Sequence, residues 1–167
     1  MPLIPESAIQ KSFAALPVAR FQAGETVLGA GTRTGRLMIL KKGAVAVIKD
    51  GVEIANVSEP GAIFGELSIL LDQPHTADVR TLEASQFHVA DAAHLAKDLL
   101  TLTYIAIALA VRVNNANRAV IELKRQLNAG EPHSVIVETV AEIDANLVYA
   151  GYPFNPFMYL ERGSGKA

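Results

Sequence analysis

The 167-residue chain contains no cysteine and no tryptophan. The absence of cysteine excludes disulfide bonds and thiolate metal sites, and it means that cysteine usage gives no information about the redox compartment. Basic residues are not in excess either, because 15 lysines and arginines stand against 17 acidic residues and the net charge is −2. The strongly cationic surface that nucleic-acid binding requires is therefore missing, and we expect no DNA binding by this chain alone.

Export and membrane signals are also scarce. The first residues lack a basic region followed by an apolar run, which is the pattern of a signal peptide. The longest apolar-leaning run, Leu99 to Val111, contains two threonines and a tyrosine and is short for a bilayer-spanning helix. We therefore predict a cytoplasmic protein without a membrane partner, in which this run is a buried helix.

The usual constellations of catalytic residues are absent from the sequence. The four histidines, at positions 75, 88, 94 and 133, do not form the His-x-His pair that is typical of metal enzymes of the cupin type. No serine elbow and no pair of carboxylates stands out. His88 alternates with the apolar residues of its segment, so we expect it on the surface. These observations predict a non-catalytic protein without a cofactor or a metal.

The first part of the chain combines one helix with many short β segments. Pro5 to Leu16 has helical periodicity, and it lies in a predicted N-terminal helical unit, residues 1–17. Residues 18–98 then alternate short apolar segments with glycine turns, which predicts a mainly β jelly roll or another β-sandwich. The expected strands are Val18–Gln22, Thr26–Leu28, Leu37–Leu40, Val45–Ile48, Ile54–Val57, Val79–Thr81 and Gln86–Val89.

The most informative stretch runs from Gly61 to Val79. Gly65 allows a tight backbone turn, and a short helix, Glu66 to Leu71, is predicted directly after it. The start of a helix has unpaired N–H groups and a partial positive charge, so we expect it to receive an anion. Glu66 offers a carboxylate that can accept a hydrogen bond from a ligand hydroxyl. The stretch therefore predicts a cradle for a phosphate and a ribose.

This stretch resembles a known motif. Phe64-Gly-Glu-Leu-Ser-Ile-Leu70, followed by Pro74-His-Thr-Ala-Asp-Val79, is similar to the phosphate-binding cassette of cyclic nucleotide-binding domains. The resemblance covers about residues 10–127 and implies a β jelly roll (a double-stranded β-helix) with flanking helices that binds cAMP or cGMP. The helical interruption within the β segments favours this architecture over other sandwiches. The resemblance implies these ligand-binding residues: Gly65, Glu66, Leu67, Ser68, His75, Thr76 and, for the base, Asn117.

His75 departs from the family pattern, which has an arginine at this position. The arginine presents a planar, always-charged fork to the phosphate, whereas a histidine with its ordinary pKa near 6.5 is mostly neutral at pH 7. Asp78 stands where a hydroxyl residue is common, and its charge would repel a phosphate. We therefore expect weak, pH-dependent cyclic nucleotide binding or a changed ligand.

A long apolar seam follows the β segments. Its residues step by threes and fours over about four heptads, which predicts one long helix, residues 99–128. A helix packed only on its own domain would not need so long a stripe, so we predict a parallel helix pair and a homodimer through Leu99 to Leu127. The seam residues are Leu99, Leu102, Ala106, Leu109, Val113, Ala116, Val120, Leu123 and Leu127.

The last part, residues 129–167, predicts one more helix, Ser134 to Tyr149, and then an aromatic segment, Gly151 to Leu160. It contains no second helical pair and no basic recognition helix. A transcription regulator would need a DNA-binding unit with these helices. Two functions therefore remain. One is a regulatory sensor for a cyclic nucleotide, which signals to an unknown protein partner through the long helix. The other is a degenerate domain that binds no nucleotide and serves as a dimeric interaction scaffold.

Overall fold

The computed structural model describes residues 4–148 of the chain, except for the side chains of Glu142 and residues 144–148. The predicted aromatic segment, Gly151 to Leu160, lies outside the described residues. In chain order the elements are α1 Glu6–Ala14, β1 Val18–Phe21, β2 Thr26–Leu28, β3 Arg36–Lys42, β4 Val45–Lys49, β5 Val52–Val57, β6 Ile63–Phe64, α2 Glu66–Leu70, β7 Asp78–Thr81, β8 Ser85–Asp91, α3 Ala92–Leu95, α4 Leu99–Ala129 and α5 His133–Val148.

The strands form two four-stranded antiparallel sheets, with the orders β1-β8-β3-β6 and β2-β7-β4-β5. Apart from the β4–β5 hairpin, neighbours in each sheet are not consecutive in sequence, as expected when a β ribbon folds over on itself. Helices lie before, within and after the strands. The predicted mainly β jelly roll with flanking helices is therefore confirmed.

Strand β3 is apolar on both faces because it separates two cores. Leu37 and Ile39 pack against α1 and α4, whereas Met38 and Leu40 point into the space between the two sheets. All four side chains are at most 3% exposed. This explains why the sequence shows a continuous apolar run here instead of the alternation of a strand with one solvated face.

Helix α4 has 31 residues and ends at Gly130, whose φ of 68° is the left-handed conformation that closes a helix. It packs against α1 at one end and against α5 at the other. The whole of α4, unlike the shorter run from Leu99 to Val111, is long and apolar enough to cross a membrane by length and composition, with a mean hydropathy of 1.4 over 18 residues. The contacts of α4 with α1 and α5 are those expected of a helix that packs within the folded domain.

The apolar seam is only partly covered by its own domain. Leu102 and Leu109 pack against the core that α4 shares with α1, whereas other seam residues are exposed. The buried residues of the helix are Thr101, Tyr104, Ile105, Ala108, Arg112, Ala119 and Gln126. In the seam, Val113 is 58% exposed and Leu127 is 56% exposed, and no seam residue is fully buried. Val137 and Val140 of the neighbouring α5 are exposed as well. An apolar surface therefore runs along the helical hairpin without cover from the described part of the chain.

Asp98 fixes the start of α4. One carboxylate oxygen accepts from the backbone N–H groups of Leu100 and Thr101, and the other accepts from the Ser12 and Thr101 hydroxyls at 2.6 Å. Burial opposes ionisation, but these hydrogen bonds outweigh it and lower the pKa of the Asp98 carboxyl to about 2. The cap thereby ties α4 to α1.

We predict that Asp98→Asn lowers the free energy of unfolding by about 1–2 kcal/mol near pH 7, because the amide cannot accept all of these hydrogen bonds. A carboxyl whose pKa is lowered on folding stabilises the protein fully above its ordinary pKa near 3.8, and this stabilisation is lost as the pH falls through about 2. Urea unfolding from pH 7 to pH 2 measures both effects.

The matched control is Asp91→Asn, since Asp91 caps the short helix α3 with one hydrogen bond, from the His94 N–H. We expect a smaller loss for this variant. Equal losses for the two variants, or a gap between Asp98→Asn and wild type that stays constant down to pH 2, would contradict the assignment.

Candidate functional site

Gly65 turns the chain from β6 into α2 with a φ of 86°, in the left-handed region. A Cβ atom at this position would lie 2.6 Å from the Arg36 carbonyl oxygen and 3.2 Å from Cε1 of His75. Both the backbone conformation and the space therefore require glycine. The predicted tight turn before a short helix is present. Helix α2 ends at Leu70, one residue before the predicted end at Leu71.

An open cleft of about 40 Å³ lies beside this turn. Six of the predicted ligand-binding residues line it, and these are Gly65, Glu66, Leu67, Ser68, His75 and Thr76. Apolar residues of both sheets, including Leu28 and Ile63, complete its walls. Asn117 does not line the cleft and is exposed on α4. The structure thus brings the cassette residues together and leaves the predicted base-contacting residue apart from them.

His75 is buried, with 6% of its surface exposed, although it lines the cleft. Its Nε2 atom is hydrogen-bonded to the Thr34 hydroxyl at 2.8 Å. Burial lowers the pKa of the imidazole below its ordinary value, so the ring is neutral at pH 7. The position that carries a permanent charge in the resembled family is therefore uncharged here.

Glu66 forms a buried ion pair with Arg112 of α4. Nη1 of the arginine donates to Oε1 of Glu66 at 2.8 Å, and the two side chains are 9% and 5% exposed. Burial raises the pKa of the Glu66 carboxyl, and the positive charge of Arg112 opposes that rise. The carboxylate predicted for a ligand hydroxyl is therefore also the contact between the cassette and the long helix.

Arg112 is not among the ligand-site residues that the sequence predicts, because it lies on the long helix, far from the cassette in sequence. An arginine within the otherwise apolar stretch from Leu99 to Val113 is a signal that could have singled it out. A lone charge on the inward face of a helix needs a partner, and Glu66 is the buried acidic residue of the described part of the chain.

Tyr104 makes a second contact between α4 and the cassette. Its hydroxyl donates to the Gly61 carbonyl oxygen at 2.8 Å, in the turn before β6. Tyr104 and Arg112 lie eight positions apart, about two helical turns, so both point from the same face of α4. The long helix therefore holds the cassette at its entry and at the start of α2.

Two further polar residues qualify the predictions. Asp78 accepts a hydrogen bond from the Ala30 N–H at 2.7 Å, so its carboxylate fastens the chain after β2. His88 was expected on the surface, but it is only partly exposed and its ring lies 6.2 Å from that of Phe13. The surface prediction was wrong because helix α1 covers this side of the sheet.

In the described residues no group of three or more His, Asp or Glu is placed to hold a metal ion.

Comparison with known proteins agrees with this geometry. The family model of the cyclic nucleotide-binding domain matches residues 18–99, a range that includes both sheets and the cleft. Residues 18–99 belong to the cyclic nucleotide-binding domain family. The fold and the family resemblance inferred from the cassette residues are thus confirmed.

Several relatives of this domain are regulatory proteins. A cAMP-dependent protein kinase regulatory subunit from Yarrowia lipolytica is 35% identical over 74 residues, which are 44% of this chain and 20% of that protein. A structure of PKAR CBD2 with bound Sp-2Cl-cAMPS is 21% identical, with a TM-score of 0.55 and coverage of 80% of this chain and 85% of that one. A regulatory subunit of a cAMP-independent protein kinase A from Trypanosoma cruzi, bound to guanosine, is 20% identical, with a TM-score of 0.51 and coverage of 84% and 47%. At these identities the two structures support the fold alone.

We predict that Arg112→Met lowers the free energy of unfolding by about 3–5 kcal/mol, because it leaves the Glu66 charge buried without its partner. The double variant Glu66→Gln/Arg112→Met should lose less than the sum of the two single variants. Urea unfolding of the wild type and the three variants measures this coupling. The loss in Arg112→Met should shrink as the pH falls, since a protonated Glu66 no longer carries the charge.

The control is Arg125→Met, which removes the exposed ion pair with Glu122 on the same helix. We expect little change in stability for that variant. Two results would contradict the role assigned to the buried pair. One is a loss of unfolding free energy in the double variant that equals the sum of the losses in the two single variants. The other is a loss in Arg125→Met as large as that in Arg112→Met.

Proposed function

We propose that this chain is a non-catalytic regulatory sensor that binds a cyclic nucleotide, cAMP or cGMP, in the cassette cleft. The observation that carries the proposal is the buried contact between Glu66 and Arg112, since it joins a cleft-lining carboxylate to the long helix. A ligand hydroxyl that bonds to Glu66 would compete with Arg112 or share the carboxylate with it. Occupancy of the cleft would in this way be communicated to α4.

The proposed signal is a shift between two positions of α4. A ligand can shift such an equilibrium only through a difference in its affinity for the two states. Tyr104 and Arg112 give α4 two points of contact with the cassette, so a change in the backbone from Gly61 to Glu66 alters both. The receiver of the signal is an unknown protein partner or the second copy of the chain. We place the module in the cytoplasm, since its curated relatives are protein kinase components.

We further propose that the chain forms a homodimer through α4. The seam has apolar residues at heptad spacing, and most of it lies beside the fully buried face of α4, although Leu102 and Leu109 also contact the core of the same chain. Val113, Val120 and Leu127 are each more than one-third exposed. Covering this surface with a second copy would remove apolar area from water along the whole helix.

A second candidate function is a dimeric interaction scaffold that binds no nucleotide. Two observations favour it, because Glu66 and His75 already have partners within the chain, Arg112 and Thr34, and the cleft is small at about 40 Å³. The scaffold retains the α4 surface and needs no ligand. Ligand titration therefore discriminates the two functions, whereas the oligomeric state does not.

We predict that wild type binds cAMP weakly at pH 7.5 and more tightly as the pH falls through the pKa of His75, which burial lowers below its ordinary value, because a phosphate is bound better by a protonated His75. His75→Arg should bind about ten- to a hundred-fold more tightly and with little dependence on pH, since a charged hydrogen bond is restored. Isothermal titration calorimetry with cAMP and cGMP between pH 5.5 and pH 8 measures both affinities.

His133→Arg adds the same charge on an exposed residue of α5 and should leave binding unchanged. Tight binding by wild type that stays constant over this pH range would refute the role given to His75. Binding that is gained only in His75→Arg would favour the scaffold.

We predict that Val113→Glu converts the dimer to a monomer, because it places a charge in the middle of the seam. Asn114→Glu is the matched control, since Asn114 is exposed on the next position of α4 and outside the seam. Light scattering coupled to gel filtration measures the mass of each variant. A wild-type monomer at micromolar concentration, or loss of the dimer in both variants, would contradict the interface.

A further inference from the structure

The cleft has no uncompensated positive charge. Its lining contains one carboxylate, Glu66, and one imidazole, His75, but neither lysine nor arginine. Arg112 does not line the cleft, and its guanidinium is paired with Glu66 at 2.8 Å. A cyclic phosphate carries a full negative charge, so it would enter this cleft without a cation to balance it. Removing an unpaired anion from water is costly.

Two features next to the cleft do not supply the missing charge. Helix α2 has five residues, so the charge at its start is that of a single turn and not of a full helix dipole. Asp78 lies between the cleft residues Ala77 and Val79 but does not line the cleft, and its carboxylate is held by the Ala30 N–H. The start of α2 therefore offers an anion only the weak positive charge of one helical turn.

The same groups suit a sugar. The Glu66 carboxylate accepts from Arg112 and from its own backbone N–H, and it has lone pairs for a further hydrogen bond from a ribose hydroxyl. The Ser68 hydroxyl can donate or accept a hydrogen bond. A neutral imidazole has one hydrogen-bond donor and one acceptor, and the Thr34 hydroxyl bonds to Nε2 of His75. The other ring nitrogen, Nδ1, can therefore donate to or accept from a ligand hydroxyl, depending on the tautomer. The oxygens of a cyclic phosphate can only accept hydrogen bonds and need donors around them. The two hydroxyls of a ribose both donate and accept, so they suit a site with donors and acceptors.

We propose that the cassette cleft prefers an uncharged nucleoside to a cyclic nucleotide with the same base. This inference rests on the proposed function, because it takes the same cleft as the ligand site and changes only the class of ligand. His75 is its specificity-determining residue, since an arginine at this position would restore the charge that a phosphate requires.

Calorimetric titration of the full chain at pH 7.5 compares adenosine with cAMP and guanosine with cGMP. We expect wild type to bind at least one nucleoside about ten-fold or more tightly than the matched cyclic nucleotide. His75→Arg should shift that ratio toward the cyclic nucleotide by about ten- to a hundred-fold, and His133→Arg should not change it. Amide chemical shifts of residues 65–68 locate the bound nucleoside, and thermal unfolding checks that each variant is folded.

The possible outcomes separate the two proposals. A cyclic nucleotide that binds wild type as tightly as its nucleoside would overturn the nucleoside preference and leave the cyclic nucleotide sensor intact. If neither class binds at millimolar concentration, both proposals fail and the scaffold function stands. Nucleoside binding that leaves the amides of residues 65–68 unchanged would also overturn the inference, because the ligand would then lie elsewhere.

Discussion

The buried ion pair between Glu66 and Arg112 is the constraint on which the arrangement of the site depends. Two charges with 5% and 9% exposure remain stable only when they satisfy each other. The pair therefore fixes the register of α4 against the cassette, since a shift of one residue along the helix would rotate the guanidinium away by about 100°. Tyr104, on the same face, bonds to Gly61 only in this register.

The double role of β3 explains how the cassette and the helices come together. One face of the strand closes the core between the sheets, and the other face carries α1 and α4. Because β6 pairs with β3, the segment that leads into Gly65 lies at the junction of the two cores. The cleft thus has one sheet interior behind it and the long helix beside it. A change in the position of the helices would therefore alter the walls of the cleft while both sheets stay folded.

Local signals predicted much of this fold, and distant pairings account for what they missed. Gly65, with its left-handed φ, and the heptad spacing from Leu99 to Leu127 depend on neighbours in sequence, so the cassette turn and α4 were recognisable. The bond between Glu66 and Arg112 joins positions 46 residues apart, and periodicity carries no information about such a pair. For the same reason His88 was misjudged, because the alternation within a strand does not reveal that α1 covers its outer face.

Helix α4 must satisfy two surfaces at once, and this limits how it can respond to a ligand. Its inward face carries polar residues, including Thr101, Arg112 and Gln126, whose partners lie at fixed positions in the chain. Its seam carries only apolar side chains, which tolerate sliding better because dispersion contacts are not directional. A rotation of α4 would therefore break specific hydrogen bonds on one face while the seam adjusts with a smaller loss of free energy. In the proposed sensor the polar face would set the threshold for movement, so a group that competes for Glu66 would influence the helix more directly than a group that covers its apolar surface.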